Sequence, residues 1–137
     1  MTTVSDSLLV LVVDDEASVR DFAERSLRGG GYEVRVASDG PEALGVMDAQ
    51  RRSVDLFLVD LVMPLMRGDE LARRIRQRDP DAKVLYFTGY SDRLFESRPT
   101  LWHHEAFIEK PVTIAGLLEA VSLLLFGHTN GPTVGRS

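Results

Sequence analysis

The segment Asp55-Leu-Phe-Leu-Val-Asp60-Leu-Val-Met63-Pro64 sets a carboxylate at the end of a short, wholly apolar run. Four consecutive apolar residues between two acids fit a strand buried on both faces, as in a parallel sheet. An ionised carboxylate at the end of such a strand is poorly solvated unless something pairs with it. Three more strand-like runs end the same way: Leu8 to Val13 is followed by Asp14 and Asp15, Lys83-Val-Leu-Tyr-Phe87 by Thr88, and Ala106-Phe-Ile-Glu109 by Lys110. Four strands therefore deliver three acids, a hydroxyl and an amine.

Working outward, β-branched runs alternate with helical patterns at short intervals, which predicts right-handed βαβ units around a parallel sheet. After the first strand, Val19, Phe22, Ala23 and Leu27 share a helix face that stops at Gly29-Gly-Gly31. A second strand covers Glu33 to Ala37, and Asp39-Gly40-Pro41 turns into a helix through Ala43, Leu44, Val46 and Met47, proline suiting a first turn. A third helix starts near Gly68 and Asp69, buries Leu71, Ala72 and Ile75, and ends at Asp79-Pro80; its Arg73, Arg74, Arg76 and Arg78 read as a solvated face. Between Ser91 and His104 a further helix is expected, shortened or shifted by Pro99. The last helix, from about Thr113, repeats apolar residues at Ile114, Leu117, Leu118, Val121, Leu124 and Leu125 before Gly127.

Composition sets limits on function. With 137 residues, 44% hydrophobic and 27% charged, the chain suits one domain with one sizeable core, and no internal repeat or second domain is evident. The absence of cysteine excludes a disulfide framework, a thiol nucleophile and a cysteine metal site. A net charge of −5 argues against nucleic acid as a direct partner. Met1 to Ser7 lacks the basic and apolar parts of a signal peptide, and Leu117 to Phe126 is too short to span a bilayer. The expectation is a cytoplasmic protein without membrane insertion, with residues 1–6 disordered, a domain over 7–127 and a disordered tail over 128–137. His103-His104 are adjacent, so on a helix they do not share a face and do not suggest a metal site.

The residues at the strand ends resemble those of the response-regulator receiver domains of bacterial two-component systems. Asp60-Leu-Val-Met63-Pro64-Leu-Met-Arg-Gly68 is similar to the family's Asp-x-x-Met-Pro-x-x-x-Gly segment, Asp14-Asp15 to its acidic pair, Thr88-Gly89 to its switch hydroxyl with a small neighbour, and Lys110-Pro111 to its Lys-Pro. The resemblance covers roughly residues 7 to 126. It implies a flavodoxin-like, doubly wound, five-stranded parallel sheet in the order 2-1-3-4-5 with helices on both faces, an arrangement for which a chemotaxis receiver is a standard example. The acids, Thr88 and Lys110 then meet beyond the carboxyl ends of the strands.

By the same resemblance Asp60 is the phosphoacceptor, and Asp15, Asp60 and the Val62 carbonyl hold Mg2+ directly while Asp14 acts through water. Close carboxylates repel, and a hard dication that keeps waters and binds phosphate oxygens removes that conflict. Thr88, Lys110 and the backbone N–H groups near Val62 and Gly89 would neutralise a transferred phosphoryl group, and Phe107, three residues before the lysine, would follow Thr88 in the switch. The implied donor is a sensor histidine kinase or histidine phosphotransfer protein, and the implied readout a downstream protein. The run Phe87-Thr-Gly-Tyr-Ser-Asp92 resembles receivers fused to or paired with such kinases. Val62 and Tyr90 occupy the positions that flank the path of a hydrolytic water, which implies a long-lived aspartyl phosphate. The implied Lys110-Pro111 bond is cis. The competing enzyme reading, a haloacid-dehalogenase-like phosphatase, needs an acid two residues after the nucleophile, where this chain has Val62. A pseudo-receiver acting only as an interaction module would lack a site residue, and none is missing.

Overall fold

Five strands, β1 (Leu9–Val13), β2 (Glu33–Ala37), β3 (Leu56–Val59), β4 (Val84–Thr88) and β5 (Glu105–Glu109), form one parallel sheet in the order β2-β1-β3-β4-β5. The computed structural model describes residues 7–89 and 104–127. The expected helix between Ser91 and His104 and the expected disordered ends at 1–6 and 128–137 lie outside them, apart from His104 itself. Described helices are α1 (Ala17–Gly29), α2 (Gly40–Ala49), α3 (Gly68–Arg78) and α4 (Ile114–Phe126). Among the described residues no helix is long and apolar enough to cross a membrane.

The sheet is covered on both faces, which is why β1 and β3 are buried at every position. On one face Leu11, Val13, Phe57, Val59 and Tyr86 pack with Ala43 of α2 and Leu71, Ala72 and Ile75 of α3. On the other, Val10, Val12, Leu58, Leu85 and Phe87 meet Ala23 and Leu27 of α1 and Leu117 and Val121 of α4. A fully buried side chain of this kind contributes about 1.5–3 kcal/mol.

Local chemistry sets the element ends. Asp39 caps α2 by accepting from the Glu42 N–H at 2.8 Å, with Pro41 in the first turn. Thr113 caps α4 by accepting from the Gly116 N–H at 2.9 Å. α1 ends in the glycine run, where Gly31 takes the left-handed conformation (φ 96°) and Tyr32 N–H reaches back to the Leu27 carbonyl. At the amino-terminal end of the sheet, Arg52 donates to Glu33 (3.0 Å), Asp55 (3.1 Å) and the Ser7 carbonyl (2.6 Å), while Asp55 also accepts from Leu9 N–H. One guanidinium thus fastens β2, β3 and the entry to β1.

Ile114, in the first turn of α4, is 55% exposed. One expectation needs correction. Arg76 is not part of a solvated face. Its guanidinium donates to Glu105 at 2.6 Å and to the Ala82 carbonyl at 3.1 Å, and the Glu105 carboxylate, fully buried, also accepts from the Tyr86 hydroxyl at 3.1 Å. Arg74 and Arg78 do lie outside, paired with Glu70 and Asp48.

Candidate functional site

Parallel register brings the strand ends together. Val13 pairs with both Ala37 and Val59, so the next residues along β1 and β3, Asp14 and Asp60, emerge side by side. Backbone bonds hold them there: Asp14 N–H donates to the Ala37 carbonyl at 3.2 Å and Asp60 N–H to the Val13 carbonyl at 2.9 Å. On the other flank Thr88 pairs with Glu109, which puts Lys110 one residue past the end of β4. The Lys110-Pro111 bond is cis, as the resemblance implies.

One carboxylate oxygen from each of Asp14, Asp15 and Asp60 lies within 4.8 Å of the others. Asp14 and Asp60 are buried and Asp15 is exposed. Asp14 does not cap α1. It accepts instead from Glu16 N–H at 2.9 Å through Oδ1 and from Lys110 Nζ at 2.9 Å through Oδ2. Lys110 Nζ also stands 3.6 Å from Asp60 Oδ1 and 3.9 Å from the exposed Glu16 carboxylate. Asp60 Oδ1 is buried yet accepts no hydrogen bond from the described residues.

This crowding has an electrostatic signature. Burial, reinforced by the charges of Asp14 and Asp15, pushes the Asp60 carboxyl from its ordinary 3.8 up to about 6, although Lys110 and the Val62 N–H oppose the shift. Burial alone would lower the Lys110 ammonium, but its hydrogen bond to Asp14 and the charges of Asp14, Asp60 and Glu16 outweigh that and raise it. A buried, orphaned carboxylate oxygen beside two more acids suits a hard dication, which takes oxygen ligands and needs no thiol or imidazole. The donor set therefore fits magnesium.

The other anticipated residues are placed as follows. Val62 is half-buried just beyond Asp60. Gly89 follows β4 at an exposed bend, and a Cβ there would meet nothing within 4 Å, so space exists beside the site. Phe107, half-buried, packs against the α2–α3 side of the core opposite Tyr86 in register. The Thr88 hydroxyl and Tyr90 lie outside the described part of the structure. Gly68 has a role its motif position did not explain: a Cβ there would stand 2.2 Å from the Asp60 carbonyl oxygen, and its N–H donates to the Leu61 carbonyl.

Sequence reading missed two neighbours. Arg20, six residues after Asp14, donates to the Asp14 carbonyl at 2.7 Å and braces the acidic pair from α1. Phe87 lies with its ring centroid 5.4 Å from Lys110 Nζ. Arg20 had a readable signal in its place on the first turns of the helix behind two acids. Phe87 had none, since it reads as one more apolar strand residue.

Comparison with known proteins agrees with this layout. The response regulator receiver domain family matches residues 10–122. The chain is 36% identical over 124 residues to the sensor kinase CckA of Brucella abortus, covering 90% of this chain and 13% of that protein. It is 33% identical over 129 residues to the response regulator MprA of Mycolicibacterium vanbaalenii, covering 93% of this chain and 54% of that one. It thus spans a small part of the first relative and about half of the second. The crystal structure of the response regulator TrrA from Thermotoga maritima in complex with Mg2+–BeF superposes with a TM-score of 0.75 at 34% identity, covering 86% of this chain and 99% of that one.

Proposed function

This chain belongs to the response-regulator receiver family, and we propose that it accepts a phosphoryl group on Asp60 from the phosphohistidine of a sensor histidine kinase or histidine phosphotransfer protein. A carboxylate oxygen of Asp60 attacks phosphorus, the bond from phosphorus to the imidazole nitrogen breaks with its electron pair going to the imidazole, and an aspartyl phosphate results. The observation that carries the reading is the buried Oδ1 of Asp60, which has no hydrogen-bond partner among the described residues and faces the Lys110 ammonium among three clustered carboxylates.

Phosphoryl transfer asks mainly for alignment and for neutralised oxygens. Asp15, Asp60 and the Val62 carbonyl would hold magnesium directly, and Asp14 would assist through water. When bound, magnesium supplies positive charge to the carboxylates and to the phosphoryl oxygens. Lys110 neutralises a second oxygen, the Thr88 hydroxyl and the N–H groups around Val62 and Gly89 serve the rest, and Gly89 leaves room for the group. Thr88 and Phe107 then change their packing, shifting the population toward a form that a downstream protein recognises. The domain promotes only its own phosphorylation and dephosphorylation. A phosphatase acting on foreign substrates is disfavoured because Val62 offers no general acid where such an enzyme needs one. A phosphorylation-independent module is disfavoured because the acids and the lysine are all in place.

Incubation with phosphoramidate or acetyl phosphate should add one phosphoryl group per chain, measured by intact mass. Chelation of magnesium or the Asp60→Asn substitution should abolish it; label retained in Asp60→Asn would overturn the assignment.

A further inference from the structure

Lys110 must stay at the site while its partners change, and most of what holds it is the same negative charge that a metal ion would claim. Its ammonium is gripped by Asp14 Oδ2 at 2.9 Å, with Asp60 Oδ1 at 3.6 Å and Glu16 Oε1 at 3.9 Å. A dication among Asp14, Asp15 and Asp60 weakens the first two attractions and repels the ammonium directly. Beside the exposed Glu16 carboxylate, one contact is left that does not depend on carboxylate charge. The Phe87 ring, 3% exposed, lies 5.4 Å from Nζ at its centroid, within the range at which an aromatic quadrupole attracts a cation.

The surroundings favour that contact. Phe87 and Lys110 line a cavity of about 260 Å³ with Phe22, Val19, Pro111 and Val112, so the stem of the lysine lies along apolar walls while its head faces the acids. Phe87 is fixed by the strand itself: its register partner on β5 is Ile108, and it belongs to the α1–α4 side of the core. The aromatic face is thus placed by the sheet and the core rather than by the acids.

We propose that Phe87 is a positioning residue for phosphoryl transfer, its ring forming the uncharged floor that keeps the Lys110 ammonium at the site once metal has taken the Asp14 and Asp60 carboxylates. The proposal rests on the phosphoacceptor reading of Asp60. It separates an aromatic requirement from a merely apolar one, which leucine would also meet.

The test compares Phe87→Leu and Phe87→Tyr in the full chain. Initial magnesium-dependent phosphorylation by phosphoramidate should fall about 3- to 10-fold in Phe87→Leu, as expected for loss of a partly desolvated cation–π contact, and recover in Phe87→Tyr. In a Lys110→Gln background the Phe87→Leu change should have no further effect. Independently of any phosphorylation, the Lys110 Cε protons in isotope-labelled protein with magnesium should show an upfield ring-current shift that is present in wild type and Phe87→Tyr and absent in Phe87→Leu. Equal rates for all three, a loss that persists in the Lys110→Gln background, or wild-type Lys110 protons without that shift would each overturn the proposal. If Phe87→Leu fails to fold, the wild-type and Phe87→Tyr spectra still decide it. A wild type that takes no phosphoryl group at all would instead defeat the phosphoacceptor reading, leaving the spectra to judge the floor by itself.

Discussion

Asp60 is held in an environment that disfavours its charge, and this makes the working form of the site the less stable one. Its carboxyl titrates near 6 in the folded chain against an ordinary 3.8, so the folded state binds the proton more tightly than the unfolded state does. The contribution of Asp60 to folding stability is then fully present below about pH 4, falls as pH rises toward 6, and is lost above it. In chelator, Asp60→Asn should therefore melt higher than wild type at pH 7, with the gap closing toward pH 4; equal melting temperatures at pH 7 would contradict the crowding argument. A second prediction concerns lifetime. By the family resemblance Val62 and Tyr90 hold the positions that flank the path of a hydrolytic water, and we propose that they shield it, since a valine side chain cannot orient a water and a tyrosine is large enough to obstruct one. The purified phosphoprotein should lose its label slowly, and a Val62→Asn, Tyr90→Glu double variant faster; decay of the wild type within seconds would refute the shielding. Much of this site was legible because Asp14 and Asp60 each close an apolar run that has no other use for a charge, and Lys110 follows a further strand at the same end. Asp60's missing partner was not legible, since it depends on which of three acids the lysine chooses.

At the scale of elements, α3 starts where it does because Gly68 lets its first turn lie against the chain that carries Asp60. A Cβ at Gly68 would press on backbone, 2.2 Å from the Asp60 carbonyl oxygen and 2.9 Å from Leu61 Cα, whereas one at Gly40 would meet the flexible Met66 side chain at 2.7 Å. Gly68→Ala should cost about 2–4 kcal/mol in urea unfolding, in the range of overpacked and strained core sites, and should also weaken magnesium binding. Gly40→Ala should cost clearly less; the reverse order would mean that α3 can slide. Element boundaries came through in the sequence wherever a cap or breaker marks them, as at Asp39, Thr113 and Gly127. The buried Arg76–Glu105 pair did not, because four arginines in six residues read as solvent-facing. The signal was geometric: Arg76 falls four residues after the buried Ala72, and Glu105 opens a strand that is otherwise apolar up to Glu109.

Across the whole molecule, metal, proton and fold are linked. A ligand that binds only the folded state stabilises it, by about 2.7 kcal/mol at a hundred times its dissociation constant. Magnesium should therefore raise the melting temperature by several degrees at pH 7. The effect should shrink on going to pH 5, where protons hold Asp60; thermal scans at the two pH values check this, and a pH-independent shift would place the ion elsewhere. The sheet order could be read only through the resemblance, since no strand's own residues say which neighbour it takes. Arg52, finally, makes the two ends of the sheet mechanically unequal. One guanidinium rivets Glu33, Asp55 and the Ser7 carbonyl at the amino-terminal edge, far from the acids. The sheet behaves as a plate clamped along one border. A charge placed on Asp60 would act at the opposite border, where this rivet does not reach.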